Sequence, residues 1–395
     1  MSQLAGIGEE DFNALLGRVQ EFRDGKIAPL VIQWEQERIF PVDTILASHE
    51  LGLLGMEIDP ALGGLGLSFG QKLKILDLLS EVSMPYAFSL VNSHNVAARL
   101  ARHGTEELRN RFLPDLLSGQ RLGSTALTEP GVGSDFSAIT TLAAPEAGGW
   151  RLNGEKAWIT NAAASDVIVA YVQTDSDARS KGIASFVIDG TKDGFERLDP
   201  YGLIGSHAIG TAGFRLNNYF ASEDELLAPP GEGFTAALTT INEARTYVAS
   251  MCCSMVEASL RSAVSYACER ESFGRAIIEH QGLSWQLAHV ANQLEAARAL
   301  TNRAVTVIEK GDNRAAILSA AHAKKFATEM AEPALTACAQ AMGANGLKEE
   351  HLIGHRLTAA RVANYVDGTT EMMTDRIAMS LPAQYQSTPT VSVTS

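Results

Sequence analysis

Trp150-Arg151-Leu152-Asn153-Gly154-Glu155-Lys156-Ala157-Trp158 sets a β texture in the middle of a chain that is otherwise helical. Its Asn-Gly pair lies between two strand-like runs, the best short-range hairpin signal in the sequence. Working outward, Ser124 to about Leu227 shows short β-branched and aromatic runs separated by Gly, Asn and Asp. Asp166 to Gln173 and Gly182 to Ile188 read as further strands. The pattern predicts a β module of about one hundred residues, a sandwich or barrel.

Helical patterns flank it on both sides. Glu9 to Val19 and Ile32 to Leu54 repeat apolar residues every three or four positions, interrupted at Pro29 and Pro41. Gly63-Gly64-Leu65-Gly66-Leu67 separates these from helical stretches over Gln71 to Leu79 and Val91 to Leu117, with a local break expected at Pro114. After Pro229-Pro230-Gly231 the helical pattern returns. Val256, Leu260, Ala263 and Ala267 form one stripe; Leu283, Leu287, Val290, Leu294 and Ala297 form another, as antiparallel bundle helices need. The expected organisation is α+β and multidomain: helices over 1–120, β over 121–230, a helical bundle over 231–383 and a polar, loose tail over 384–395.

The 395 residues suffice for several packed layers, and 46% hydrophobic with 20% charged residues is a globular composition. Acidic residues outnumber basic ones, 46 to 32, for a net charge of −14, which argues against a general nucleic-acid binder. No apolar run reaches the roughly 18 residues of a membrane span, and the opening residues lack a signal-peptide pattern, so a soluble cytoplasmic protein is expected. The four cysteines form no CxxC pair, which speaks against a disulfide framework and a zinc site.

Five segments can carry chemistry. Ala126-Leu127-Thr128-Glu129-Pro130-Gly131-Val132-Gly133-Ser134-Asp135 combines glycines, which let a bulky ligand approach the backbone, with hydroxyls that donate to it. Trp158-Ile159-Thr160-Asn161 puts a π-face two residues from a hydroxyl; on one strand both would face the same side and could line a flat ring. Arg270-Glu271-Ser272-Phe273-Gly274-Arg275, followed by Gln281, could grip a phosphate and cover an adenine. Gln340-Ala341-Met342-Gly343-Ala344-Asn345-Gly346 ends a helix on glycine, and Tyr365-Val366-Asp367-Gly368-Thr369-Thr370-Glu371 sets a carboxylate before the last helix. Each has a plain reading when taken alone: a turn, a core tryptophan, a solvated helix end, a glycine cap and a carboxylate cap.

Together the five segments resemble the acyl-CoA dehydrogenase family, in its order, at similar spacings and over nearly the whole chain. Ala61-Leu62-Gly63-Gly64-Leu65-Gly66-Leu67 looks like the family's N-terminal glycine motif. The resemblance implies an N-terminal helical domain, a middle β domain and a C-terminal four-helix bundle. FAD is expected between them and across a subunit interface, in a homotetramer or homodimer. Leu127, Thr128, Gly133 and Ser134 are expected at the flavin end and pyrophosphate, and Trp158, Ile159 and Thr160 beside the isoalloxazine. Arg270, Phe273 and Gln281 match residues that a neighbouring subunit lends to FAD, Gln340 and Gly343 match the same cross-subunit site, and Thr369 and Glu371 touch FAD again. Ser134, Asn242, Arg245 and Gly368 are expected to meet the substrate. The implied reaction is α,β-dehydrogenation of an acyl thioester: a carboxylate removes the α-proton while the β-hydrogen leaves as hydride to flavin N5. Asp367 stands at the base position, and Arg245 matches an arginine that favours its ionised form.

The chain departs from that pattern in places. The base is usually glutamate, and aspartate is one methylene shorter. The alternative base position on the Arg245 helix is Ala244, with Glu243 expected to face elsewhere. Asn242 and Met379 stand where an acid and an arginine are common, which suggests altered handling of the CoA nucleotide or an acyl group on a carrier protein. An oxidase or monooxygenase of an unusual carrier-bound substrate is therefore a second reading, and a non-enzymatic binding protein a third. Electrons would pass to an electron-transferring flavoprotein or to O₂. By analogy, Tyr86 to His94 line the acyl pocket, where His94 could meet a polar acyl group or be a structural histidine.

Overall fold

In the computed structural model, which describes residues 4–386, the chain runs from helices through one sheet and back to helices. Helix α1 (Glu9–Phe22) buries Phe12, Leu15, Val19 and Phe22, the spacing that one helical face requires. The helical stretch expected over Ile32 to Leu54, with an interruption at Pro41, comprises α2 (Val31–Gln36), α3 (Val42–Leu46) and short 3₁₀ turns. The break at Pro41 falls where expected, and the left-handed Gly52 (φ 72°) adds a second one. Helix α4 (Phe69–His103) joins the segment expected over 71–79 to the first part of that expected over 91–117, which breaks at Gly104, and starts on a Ser68/Gln71 capping box. It kinks at Ser83, two residues before Pro85. Helix α5 (Glu106–Leu117) follows a Thr105 cap and continues through Pro114. The expected break does not occur: the helix continues through Pro114 to Leu117 despite the one backbone donor that proline lacks.

Eight strands form the middle sheet: β1 (Gly123–Ala126), β2 (Leu142–Glu146), β3 (Gly149–Ile159), β4 (Val167–Gln173), β5 (Ile183–Asp189), β6 (Phe195–Arg197), β7 (Ala212–Ser222) and β8 (Leu226–Ala228). Their order is β6-β7-β3-β2-β4-β5-β8, with β1 also on β4. Strand β4 is apolar from Val167 to Val172 because both its faces are covered. Ile168, Ala170 and Val172 join the core of the sheet, whereas Val167, Val169 and Tyr171 pack with Leu100, Leu108 and Phe112 of the helices.

The hairpin expected at Asn153-Gly154 is a correction. Strand β3 runs straight through, paired with β2 on one side and β7 on the other, so the chain has no room to reverse there. Gly154 (φ 151°) sits at a register shift against β7, and a Cβ there would meet Thr141 Cα at 2.6 Å. It is a bulge glycine. The reversal falls between β2 and β3, at Ala147-Gly148.

The C-terminal part comprises α6 (Gly233–Glu269), α7 (Gln281–Glu309), α8 (Asn313–Ala341), α9 (Ile353–Ala363) and α10 (Thr370–Tyr385). Val256, Ala263 and Ala267 of α6 and Leu287, Val290, Leu294 and Ala297 of α7 are buried, while Leu260 and Leu283 pack at the margin. Alanines 316, 320, 323, 327, 331 and 334 of α8 are buried too, which lets α6 and α7 close on it. Helix α10 takes in the first two residues of the expected tail; 387–395 lie outside the described residues. Among the described residues no helix is long and apolar enough to cross a membrane.

Candidate active site

The loop from Asn364 to Thr369 joins α9 to α10. Thr369 caps α10 by accepting from the Met372 amide at 3.3 Å. That makes a carboxylate cap unnecessary and leaves Asp367 without a helix-capping role. Asp367 (φ 53°) and Gly368 (φ 93°) are both left-handed. For aspartate this conformation costs about 1–2 kcal/mol, so the surroundings must impose it. They do so through the loop carbonyls. Arg245 of α6 donates from Nε to the Asp367 carbonyl at 3.1 Å, and Lys324 of α8 donates from Nζ to those of Val366 and Gly368. A Cβ at Gly368 would lie 3.3 Å from Arg245 and from Met373.

Asp367 Oδ2 is buried and has no hydrogen-bond partner among the described residues. Burial raises its pKa, against the opposing charges of Lys324 and Arg245. Burial also pushes Lys324 down to about 8 and Arg245 down to about 10. Asn242, the departure on α6, turns its side-chain oxygen to Arg245 Nη1 at 3.1 Å and so orients the guanidinium. Ala244 is buried and offers no acid. Glu243 lines a separate small cavity with Glu57, Asn95, Arg99, Arg102 and Thr240. Met379 on α10 is exposed.

The β-domain segment is held by a buried pair. Lys156 of β3 donates to the Leu127 carbonyl at 3.1 Å and to Glu129 Oε1 at 2.8 Å. Glu129 also accepts from the amides of Thr140 and Thr141. Despite its burial, the Lys156 ammonium lowers the Glu129 pKa to about 2. These contacts fix Leu127 and Thr128 and leave Gly131, Gly133 and Ser134 exposed.

Trp158 is 57% exposed, lies in the left-handed region (φ 60°) and stacks on Tyr201 with centroids 4.2 Å apart. Strand β3 ends at Ile159, so strand alternation does not set the relation of Trp158 to Thr160. Ile159 packs its side chain into the sheet core, and Thr160 is largely buried beyond the strand end. Asn161 anchors this turn by donating to the carbonyls of Ser89 and Gly123 at 2.9 and 3.0 Å.

Arg270 caps the end of α6 and leads into a two-stranded hairpin, β9 (Glu271–Ser272) and β10 (Arg275–Ala276). Its turn residues Phe273 (φ 53°) and Gly274 (φ 80°) are both left-handed, as a tight primed turn requires. Phe273 is 96% exposed at the tip. Gln281 opens α7 and is exposed. Gln340 and Glu371 come together in a groove of about 800 Å³ that Arg361, Tyr365 and Thr370 also line. Gly343 (φ 59°) follows the end of α8 in the left-handed conformation of a helix-ending glycine.

The sequence marks no role for Lys324 or Tyr201, and does not show that Glu129 and Lys156, which lie in two of the segments above, pair with each other. A charge destined for burial looks like any surface charge in the sequence until its partner is known.

Family models for the N-terminal, middle and C-terminal domains of acyl-CoA dehydrogenase match residues 9–120, 124–219 and 231–381. The rat mitochondrial short/branched chain specific acyl-CoA dehydrogenase is 30% identical over 368 residues, 93% of this chain and 84% of its own. An acyl-CoA dehydrogenase of Bacillus subtilis is 31% identical over 355 residues, 90% and 93% of the two chains. The structure of butyryl-CoA dehydrogenase from Megasphaera elsdenii superposes with a TM-score of 0.89 at 27% identity, covering 95% of this chain and 99% of that one. The chain therefore belongs to the acyl-CoA dehydrogenase family, FAD oxidoreductases that act on CH–CH groups.

The residues present fit that cofactor: a half-exposed tryptophan face, an unpartnered buried carboxyl oxygen and a polar groove.

Proposed function

We propose that this chain performs FAD-dependent α,β-dehydrogenation of an acyl thioester, with Asp367 taking the α-proton. The supporting observation is Asp367 Oδ2, buried and unpartnered on a loop whose carbonyls are held by two cations. Such an oxygen can accept a proton without first giving up a hydrogen bond, and a raised pKa makes it the stronger base. FAD, when bound, supplies the hydride acceptor for the β-hydrogen.

The chain's own groups have distinct tasks. Arg245 and Lys324 favour the ionised carboxylate, and Asn242 steadies Arg245. Trp158 and Thr160, with the Ile159 backbone between them, bear on the flavin ring. Leu127, Thr128, Gly133 and Ser134 hold the adjoining part of the cofactor. Arg270, Phe273 and Gln281 serve a neighbouring subunit, in a dimer or tetramer, where Gln340, Gly343, Thr369 and Glu371 complete the site. Gly368, by lacking a side chain, leaves Arg245 its place on the loop. Asp367→Asn should retain FAD and lose bleaching of the flavin by acyl thioesters; bleaching at the wild-type rate removes Asp367 from the mechanism.

A second reading keeps the fold and FAD but makes the enzyme an oxidase or monooxygenase of a carrier-bound acyl group. The exposed Met379, where an arginine is common, favours it. Thioesters on CoA and on carrier protein, scored by flavin bleaching and then by reoxidation, separate the two. Rapid reoxidation by O₂ supports the second; slow reoxidation with transfer to an electron-transferring flavoprotein supports the first.

A further inference from the structure

We propose that Lys324 is the positioning residue of the proton-abstracting loop, holding the backbone on both sides of Asp367 so that the carboxyl stays presented and ionised. The inference rests on the dehydrogenation reading of the Asp367 site.

Lys324 is wholly buried on α8. A buried ammonium ordinarily needs a carboxylate within ion-pair distance. Lys324 has no such ion pair among the described residues; its hydrogen bonds go to the carbonyls of Val366 and Gly368, which bracket Asp367. A lysine placed only to stabilise the fold would be better served by a paired acid or by an apolar residue of similar length. This one spends its donors on a turn of two successive left-handed residues and sets a positive charge behind the one carboxyl in it.

Charges from each neighbouring helix bear on the site. Arg245 and Tyr247 face Asp367 from α6, and Lys324 faces it from α8. Cys252 of α6 and Glu371 of α10 act on Lys324, and Arg376 of α10 acts on Arg245. Of these, Lys324 and Arg245 favour the ionised carboxylate, and Lys324 has the larger influence. With its ammonium removed, desolvation is opposed by Arg245 alone, and Asp367 should hold its proton to higher pH.

The test uses the FAD-loaded full chain and its Lys324→Met and Lys324→Gln variants. Asp367 is titrated by carbon-13 NMR of aspartate-labelled protein, its signal assigned by its loss in Asp367→Asn. In Lys324→Met the Asp367 titration should move to higher pH. Flavin bleaching should slow by about a hundredfold, the scale of a 1 Å misplacement, and its acid limb should move the same way. Lys324→Gln restores donors without charge, so it should recover part of the rate while the titration stays shifted. Slowed bleaching with an unmoved titration would make Lys324 a structural pin and overturn the proposal, as would wild-type behaviour of both variants. If Lys324→Met does not fold, the titration of Lys324→Gln decides alone. If the wild-type protein is bleached by no acyl thioester, the dehydrogenation reading fails, and the substrate-free titration still decides what Lys324 does to Asp367.

Discussion

The role proposed for Asp367 makes two demands that pull against each other: a carboxyl basic enough to take a carbon-bound proton, yet ionised when substrate arrives. Burial serves the first; Lys324 and Arg245 serve the second. The sign of the pH dependence follows. Only the ionised form accepts a proton, so bleaching should rise with pH along an acid limb above the ordinary aspartate range. Removing a flanking cation moves that limb further up. Arg245→Met should therefore shift the acid limb of stopped-flow bleaching to higher pH; a shift to lower pH, or none, would mean that Arg245 does not act on the carboxylate. The residue could be picked out in the sequence because an acid beside a glycine before a helix is a local pattern. Lys324 could not, because the 42 positions that separate it from Val366 are bridged only by the packing of α8 against the final loop.

Single elements show why some readings carried over and others did not. Periodicity located α6 and α7, because a bundle helix owes its burial pattern to its own three- and four-residue repeat. Strand β4 is legible from its β-branched run within Asp166 to Gln173, which both covered faces call for. The Asn-Gly pair in β3 misled: the dipeptide fixes a local bend, and whether that bend becomes a turn or a bulge depends on β2 and β7, which lie elsewhere in the sequence. Likewise, strand alternation would set Trp158 and Thr160 on one side, but the strand ends between them. The bulge has a measurable requirement. Gly154→Ala would drive a Cβ into Thr141, at 2.6 Å from its Cα, and should destabilise the protein by about 1–3 kcal/mol in denaturant unfolding. A loss within error would mean that the strand relaxes freely there.

Over the whole molecule, the helix–sheet–helix order is readable from changes of texture alone, and it places the Asp367 loop, the β-domain segments and the hairpin between α6 and α7 in three different parts of the chain. The hairpin's own contacts are local: Phe273 meets His280 edge-on, and His280 meets Arg275 and the Ser272 carbonyl. An aromatic tip 96% exposed in one protomer suits a surface completed by a second copy. Arg270→Ala should leave the unfolding temperature of the cofactor-free protein unchanged while weakening FAD binding by roughly tenfold or more, the worth of a charge-assisted hydrogen bond. Calorimetry on the same preparation reads both, and unchanged affinity would remove Arg270 from the cofactor site.

Trp158 has one ring face against Tyr201 and more than half of its surface open. A planar yellow partner arriving on the open side would take up the indole's emitted light, so the protein carries its own optical gauge of occupancy. Replacing Trp158 with phenylalanine should leave the ultraviolet emission of the remaining three tryptophans far less responsive to flavin addition.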